Sequence, residues 1–330
     1  LLLAVLFVFM QCTTAEKYPG KSTPFSWEAP KVKPELFAEN TIATGMNERD
    51  AALSPDGKTF YFTVQFNRNT NAIAYIELKD DRWTSPRLVS FSGRYNDLEP
   101  VFHPDGKRLF FVSDRPVEDG GERNDYDIWY VERKNGGWSK PKNPGEPLNS
   151  DANEFYPSFT KDGTIYFCTQ NENSIGGEDL YFCETINDMF LPPQNMGEPI
   201  NTPSAEYNAH ISPDGSFIMY NTHGMGAGYG SGDMYIAFKD ENGNWKKPVN
   251  MGEKINSKFF EYCPSLSPDG KYLFFTSQKM KHNKKTKTYS YKDLKKWHNQ
   301  PQNGTGDIYW IDASIIKEFN TKGSLEGSIF

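Results

Sequence analysis

Short apolar runs recur along the chain, each entered through a tight polar turn and left through a loop of variable length. The clearest copy is Glu261-Tyr262-Cys263-Pro264-Ser265-Leu266-Ser267-Pro268-Asp269-Gly270, followed at once by Tyr272-Leu273-Phe274-Phe275. Pro presets φ for the first central turn position, Asp follows, and Gly takes the left-handed residue. Ser-Pro-Asp-Gly between β-rich runs therefore predicts strand, tight turn, strand. The other copies are Ser54-Pro55-Asp56-Gly57, His103-Pro104-Asp105-Gly106, Thr160-Lys161-Asp162-Gly163 and Ser212-Pro213-Asp214-Gly215. Their Asp residues fall at 56, 105, 162, 214 and 269, in steps of 49, 57, 52 and 55 residues. Steps of that size mark propellers and solenoids rather than isolated hairpins.

Each repeat has four parts. A second strand follows the turn, at 59–63, 108–113, 164–169, 217–221 and 272–277. A third has an Asp-Ile-Tyr character, as in Asp127-Ile128-Trp129-Tyr130, Asp179-Leu180-Tyr181-Phe182, Asp233-Met234-Tyr235-Ile236 and Asp307-Ile308-Tyr309-Trp310, with Ala72-Ile73-Ala74-Tyr75 as a degenerate first copy. A fourth is expected to carry an aromatic-x-x-Pro signature, because Pro suits an outer strand that needs no ladder donor. Trp83 to Pro86, Trp138 to Pro141, Phe190 to Pro193 and Trp245 to Pro248 each follow a third strand, whereas Trp27 to Pro30 precedes the first turn. The last repeat lacks its own copy, so the N-terminal strand is expected to complete it. The fold class is all-β: a five-bladed propeller of four-stranded blades closed through the chain's N-terminal strand. The propeller is read over 27–315, with a linker at 16–26 and a tail at 316–330.

Composition narrows the partners. A net charge of −7 speaks against nucleic acid, and 15% aromatics speak against disorder. Residues 279–299 are the exception, with eight Lys against Asp293 alone, and are expected to be a solvated insertion; docking on an acidic partner or an anionic lipid surface is the competing reading. Residues 1–10 form an apolar run too short to span a bilayer and read as the core of an export signal. That signal is read over 1–15. Cys12, directly after the run, resembles the lipid-modified cysteine of a bacterial lipoprotein and would tether the protein to a membrane; cleavage after Thr13-Thr14-Ala15 is the alternative. Cys168, Cys183 and Cys263 then remain, an odd number that implies no disulfide framework.

The phased pair of signatures, Glu-x-x-Pro-x-x-Ser-Pro-Asp-Gly-Lys and the Asp-Ile-Tyr strand, resembles the PD40 repeat, the WD40-like propeller repeat of TolB-type proteins. The resemblance covers residues 27 to 312. It implies an exported propeller of the bacterial envelope that binds other molecules.

An acid stands eight residues before each turn Asp: Glu48, Asp97, Glu154, Glu206 and Glu261. In a propeller these begin the innermost strands, so five carboxylates should ring one mouth of the central channel. They read as a site for a cation, a basic side chain or a sugar, or, since structure demands repetition, as caps on backbone N–H groups. Positions that break the repeat are more informative for chemistry. Two residues on, the series is Asp50, Glu99, Tyr156, Asn208 and Cys263; at the ends of the second strands it is Gln65, Asp114, Gln170, His223 and Gln278. With Arg49 and Arg115 these predict a polar surface suited to hydrogen-bonding a ligand. The five His show no ligand spacing, and no metalloprotease, redox or nucleophile-elbow motif occurs, so no metal, cofactor or catalytic residue is assigned. The leading expectation is a non-enzymatic module binding an envelope protein or glycan through that face. The alternative is a glycoside hydrolase using Glu48, Glu99, Glu154 or Glu261, since such enzymes need two carboxyl groups at a channel mouth. A sialidase-like propeller lacks an evident arginine triad.

Overall fold

The computed structural model describes residues 26–320 apart from 40, 68, 119, 123–124, 224–227 and 282–287. The export signal, Cys12 and the centre of the Lys-rich insertion lie outside the described residues. Each turn closes as its residues dictate. In the first, Gly57 N–H donates to the Ser54 carbonyl at 2.8 Å, and Thr59 N–H donates to Ser54 Oγ at 2.9 Å. Gly57 sits at φ 69°, which disfavours any side chain.

Five antiparallel sheets follow in chain order. The inner strands are Asn47–Leu53, Asp97–Phe102, Glu154–Phe159, Glu206–Ile211 and Glu261–Leu266. Each pairs with a second strand that ends on the face where the inner strand begins, and that with a third. The fifth sheet takes its outer strand from Glu35–Leu36, with Glu35 opposite Trp310 and Leu36 opposite Tyr309. The ring is closed by the N-terminal strand, as expected.

The closing residues differ from those expected. The aromatic of each of the four aromatic-x-x-Pro segments that follow a third strand lies on a short return hairpin off that strand, as with Trp83 opposite Leu78 and Trp138 opposite Arg133. Residues just past the Pro pair further back, as with Arg87–Leu88 on Tyr75 and Ala74, and Gln194–Asn195 on Phe182 and Tyr181. Trp27 and Pro30 therefore flank the closing ladder, with Asp312 N–H donating to the Pro30 carbonyl at 2.9 Å. The aromatics serve the seams between blades. Trp138 of the second blade meets Tyr61 of the first at 6.2 Å between centroids, and Trp83 meets Phe37 at 6.0 Å. The buried apolar residues accordingly fall into five clusters, four shared by two consecutive blades and one, between the third and fourth, that also takes in Tyr262 and Cys263 of the fifth. Cys168 lies opposite Leu180 and Cys183 opposite Ile165, and both are buried free thiols.

A third repeated motif escaped the sequence reading. Asn143-x-Gly145-x-x-x-Asn149-Ser150, Asn195-x-Gly197-x-x-x-Asn201-Thr202 and Asn250-x-Gly252-x-x-x-Asn256-Ser257 lead from one blade to the next. The second Asn amide pairs with a third-strand backbone: Asn201 accepts from Leu180 N–H and donates to its carbonyl, both at 2.9 Å. The first Asn holds the third-strand Asp, as Asn195 holds Asp179 and Asn250 holds Asp233, each at 2.7 Å. Those aspartates are thereby committed to the scaffold.

Part of the Lys-rich insertion is a helix, Tyr291–His298, where a solvated loop was expected. The helix forms because Ser290 and Asp293 make a reciprocal capping box at its start.

Candidate functional site

The mouth of the channel where the inner strands begin is built from the five acids upward. All are buried, at 0–2% exposure. Four take a hydroxyl from the residue four positions earlier: Glu48 from Thr44, Glu154 from Ser150, Glu206 from Thr202 and Glu261 from Ser257. Glu206 and Glu261 also accept the backbone N–H of that same residue, at 2.9 and 2.7 Å. Each carboxyl thus ties the loop arriving from the preceding blade to its own inner strand. Gly93 stands at the equivalent place before Asp97, which bonds instead to Ser113 at 2.7 Å and to Arg115. Arg115 was expected on an open surface but is 9% exposed, lying over Phe111 and Trp129 at 4.9 and 5.5 Å. Its charge serves a blade, and Asp114 likewise holds Asn96, accepting its N–H at 2.9 Å.

Two positions on, every inner strand carries an extra residue in the left-handed region. Asp50, Glu99, Tyr156, Asn208 and Cys263 have φ between 51° and 62°. The register against the second strand slips by one at each place, for example between Arg49 and Ala52. Such a β-bulge re-aims a side chain, at a cost of about 1–3 kcal/mol per non-Gly residue. Here it brings Asp50, Glu99, Tyr156 and Cys263 together at the axis. Arg49 Nε donates to Asp50 at 2.8 Å, and its Nη2 donates to Glu99 at 2.9 Å and meets Cys263 Sγ at 3.3 Å. Tyr156 N–H donates to the other Glu99 oxygen at 2.6 Å, and the Tyr156 hydroxyl crosses the axis to the Pro264 carbonyl at 2.9 Å. Four blades are thereby linked through one charged plug. Arg49, read from the sequence as a surface cation, is its centre, with a side chain 13% exposed.

Just behind the plug lies a cavity of about 20 Å³ bounded by Asp50, Glu99, Tyr156, His210 and Ser265. That is room for one water. Asp50 Oδ2 is buried without a protein partner, a fitting contact for such a water.

Burial sets the ionisation of this region. It pushes Glu48 and Glu154 up to about 8, against the lowering effect of the Thr44 and Ser150 hydrogen bonds. Burial likewise raises Glu99, with Arg49 opposing it. The Cys263 thiol is driven well above its ordinary range by burial, so it is no nucleophile at neutral pH. Acids raised in this way hold protons in the folded chain that the unfolded chain has released. Their stabilising contribution is full below about pH 4.5 and is lost as pH rises toward 8. The melting midpoint is expected to fall by about 5 °C between pH 5 and pH 8. A Glu48→Gln/Glu154→Gln variant should flatten that slope in calorimetry, and an unchanged slope would refute the assignment.

What stays accessible is aromatic and apolar. Exposed His223 accepts or shares a hydrogen bond with Tyr207 at 2.7 Å and stacks on Phe260 at 6.0 Å. Phe260 stacks on Tyr262 at 4.6 Å, and Arg49 lies over Tyr262 at 5.3 Å. This ladder runs from solvent to the plug. A Cβ at Gly232 would come within 2.2 Å of Phe260, so glycine is required for the stack. Of the predicted site residues, His223 reaches the open face, whereas Asn208 and Tyr156 are 7% and 6% exposed. The connections from second to third strands lie on this same face, and each displays a large apolar side chain: Phe66 (75% exposed), near the end of the strand Thr59–Asn67, and the loop residues Val117 (69%), Ile175 (44%), Tyr229 (50%) and Met280 (37%). Sequence reasoning passed over these five because four sit in loops that share no alignment and Phe66 lies beyond the 59–63 stretch read as a strand. Among the described residues no cluster of His, Cys, Asp or Glu is arranged to hold a metal ion, and no helix is long and apolar enough to cross a membrane.

No family model matches the sequence, and no curated relative matches it. Similar solved structures include TolB from Acinetobacter baumannii, at 16% identity and a TM-score of 0.45, covering 81% of this chain and 55% of that one. The chain thus spans little more than half of that protein's length. An α-L-arabinofuranosidase from Lactobacillus brevis is similar at 14% identity and a TM-score of 0.44, over 82% of this chain and 92% of that one. The catalytic domain of the Coprinopsis cinerea GH62 α-L-arabinofuranosidase is similar at 10% identity and a TM-score of 0.48, over 88% and 97%.

Proposed function

We propose that this propeller is a binding module that docks a protein through the face where its inner strands begin, and that it acts outside the cytoplasm after export. The observation that carries the reading is the ring of exposed apolar side chains, one per blade, around a channel mouth that is itself closed. Large apolar groups displayed together on one face are the usual mark of a protein contact, and aromatic members such as Phe66 and Tyr229 are frequent anchors. The resemblance of the repeat to the PD40 propellers of the bacterial envelope supports export and points to an envelope partner. An envelope glycan bound on the His223–Phe260 stack fits the same face but makes no use of the outer apolar ring.

Hydrolysis of a glycoside asks for two carboxyl groups around a sugar. Glu48, Glu154 and Glu261 are engaged by loop hydroxyls, and Glu99 is 4% exposed behind Arg49 beside a one-water cavity. That geometry weighs against catalysis. The test is affinity capture from an envelope fraction with the native protein and with a Phe66→Asp/Tyr229→Asp variant. Loss of one partner by about tenfold or more in the variant is expected. Equal capture by both proteins, or turnover of aryl glycosides by the native protein, would sink the reading.

A further inference from the structure

At the opposite end of the axis, among the five tight turns, the propeller is open. A pocket of about 280 Å³ is lined there by residues of all five blades, including Pro55, Pro104, Pro213 and Pro268. Its walls are largely apolar, with Leu53, Phe102, Phe159, Ile211 and Leu266 at the equivalent place in all five blades.

Three lining residues break the repeat. His103 stands where the other turns begin with Ser54, Thr160, Ser212 and Ser267, and it is committed to its own turn, its Nδ1 accepting the Asp105 N–H at 3.2 Å. The other two stand on neighbouring blades. Where four turns have Pro, the third has Lys161; where the other inner strands have Ala52, Val101, Ser158 and Ser265, the fourth has His210. Lys161 is exposed and makes no ion pair among the described residues. No carboxylate lines the pocket, so this ammonium is its one permanent charge. Leu266 N–H donates to His210 Nε2 at 3.3 Å, which leaves the ring proton on Nδ1. That N–H has no acceptor among the described residues. Burial lowers the imidazole pKa to about 4, so it is a neutral donor at physiological pH. His210 also borders the axial cavity and so forms the floor between the two spaces.

We propose that this turn-side pocket binds a small apolar molecule bearing one carboxylate. The acid group pairs with Lys161 at the rim, and the hydrocarbon body lies against Leu53, Phe102, Phe159 and Leu266. At ~30 Å³ per water-sized unit, the volume holds about nine non-hydrogen atoms. A free carboxylic acid and the C-terminal residue of a peptide share this chemistry. The site is independent of the protein-docking face, and its failure would leave that reading untouched.

Isothermal titration of the full chain with hexanoate, for a free acid, and N-acetyl-alanine, for a chain terminus, separates the two sources by which binds more tightly. A dissociation constant on the order of a millimolar is expected for the better acid. Its uncharged amide should bind about fivefold more weakly. Lys161→Ala should abolish that preference, binding acid and amide alike, with an unchanged melting midpoint because the side chain is exposed. The proposal is overturned by an absence of saturable binding in the millimolar range, by equal binding of acid and amide to the native protein, or by a preference that survives Lys161→Ala.

Discussion

Removal of residues 27 to 40 is expected to destroy the single cooperative unfolding transition. The segment contributes Glu35 and Leu36, the outer strand of the last blade, and Phe37, which is 0% exposed. Phe37 touches Phe60 at 4.5 Å, Phe274 at 5.1 Å and Trp310 at 5.4 Å, so one side chain belongs to both the first and the last blade. Phe37→Ala alone should cost about 3–5 kcal/mol, the usual range for a buried aromatic replaced by Ala. The deletion adds an unpaired strand edge along Asp307–Asp312, which invites pairing between chains. Calorimetry and light scattering should therefore show a lowered, broadened transition with self-association. A truncated protein that melts like the full chain would refute closure by this strand.

Arg49→Met is expected to be the most damaging single substitution of a charged residue. It leaves Asp50 and Glu99 buried at 2% and 4% exposure without their shared cation. Breaking a buried ion pair by removing one partner costs about 3–5 kcal/mol. For a domain of this size that corresponds to a melting midpoint lower by roughly 6–10 °C. The loss should be larger at pH 8 than at pH 5, because Glu99 is raised by burial and can shed its charge by taking up a proton as pH falls. Arg49→Met/Asp50→Asn/Glu99→Gln removes the charges together and should recover most of the loss. A triple variant no more stable than Arg49→Met would show that the contacts of the guanidinium itself, such as its stacking over Tyr262, and not the stranded carboxylate charges, set the loss.

The two halves of the site differ in how far they could be read from the chain. The ring acids recur at one fixed offset from each turn, so their number and their common mouth were legible, along with the expectation that repetition serves structure. Their hydroxyl partners were not read, although Thr44, Ser150, Thr202 and Ser257 stand four residues before them, because that spacing carries meaning only once the inter-blade crossing is known. Arg49 and Arg115 were misplaced on an open surface. Strand alternation alone does not reveal a bulge, and each bulge turns a side chain through a left-handed residue that Asp, Tyr or Cys rarely adopts. The closing strand was placed a few residues early because the aromatic signature marks a seam between blades and not the ladder itself.

By itself the sequence determined the number of blades, the turns and the origin of the last outer strand, because these rest on local chemistry repeated in phase: Pro, Asp and Gly in a turn, apolar runs between turns, and one signature out of order. Only the tertiary structure decided what faces what. Whether a polar residue plugs the axis, locks a blade or meets solvent depends on contacts such as Tyr156 with Pro264, 108 residues apart, and on the bulges that aim them. The same holds for the ring of loop side chains on one face and the Lys161–His210 pocket on the other. They are assembled from five separate stretches of chain, and no window along the sequence brings them together.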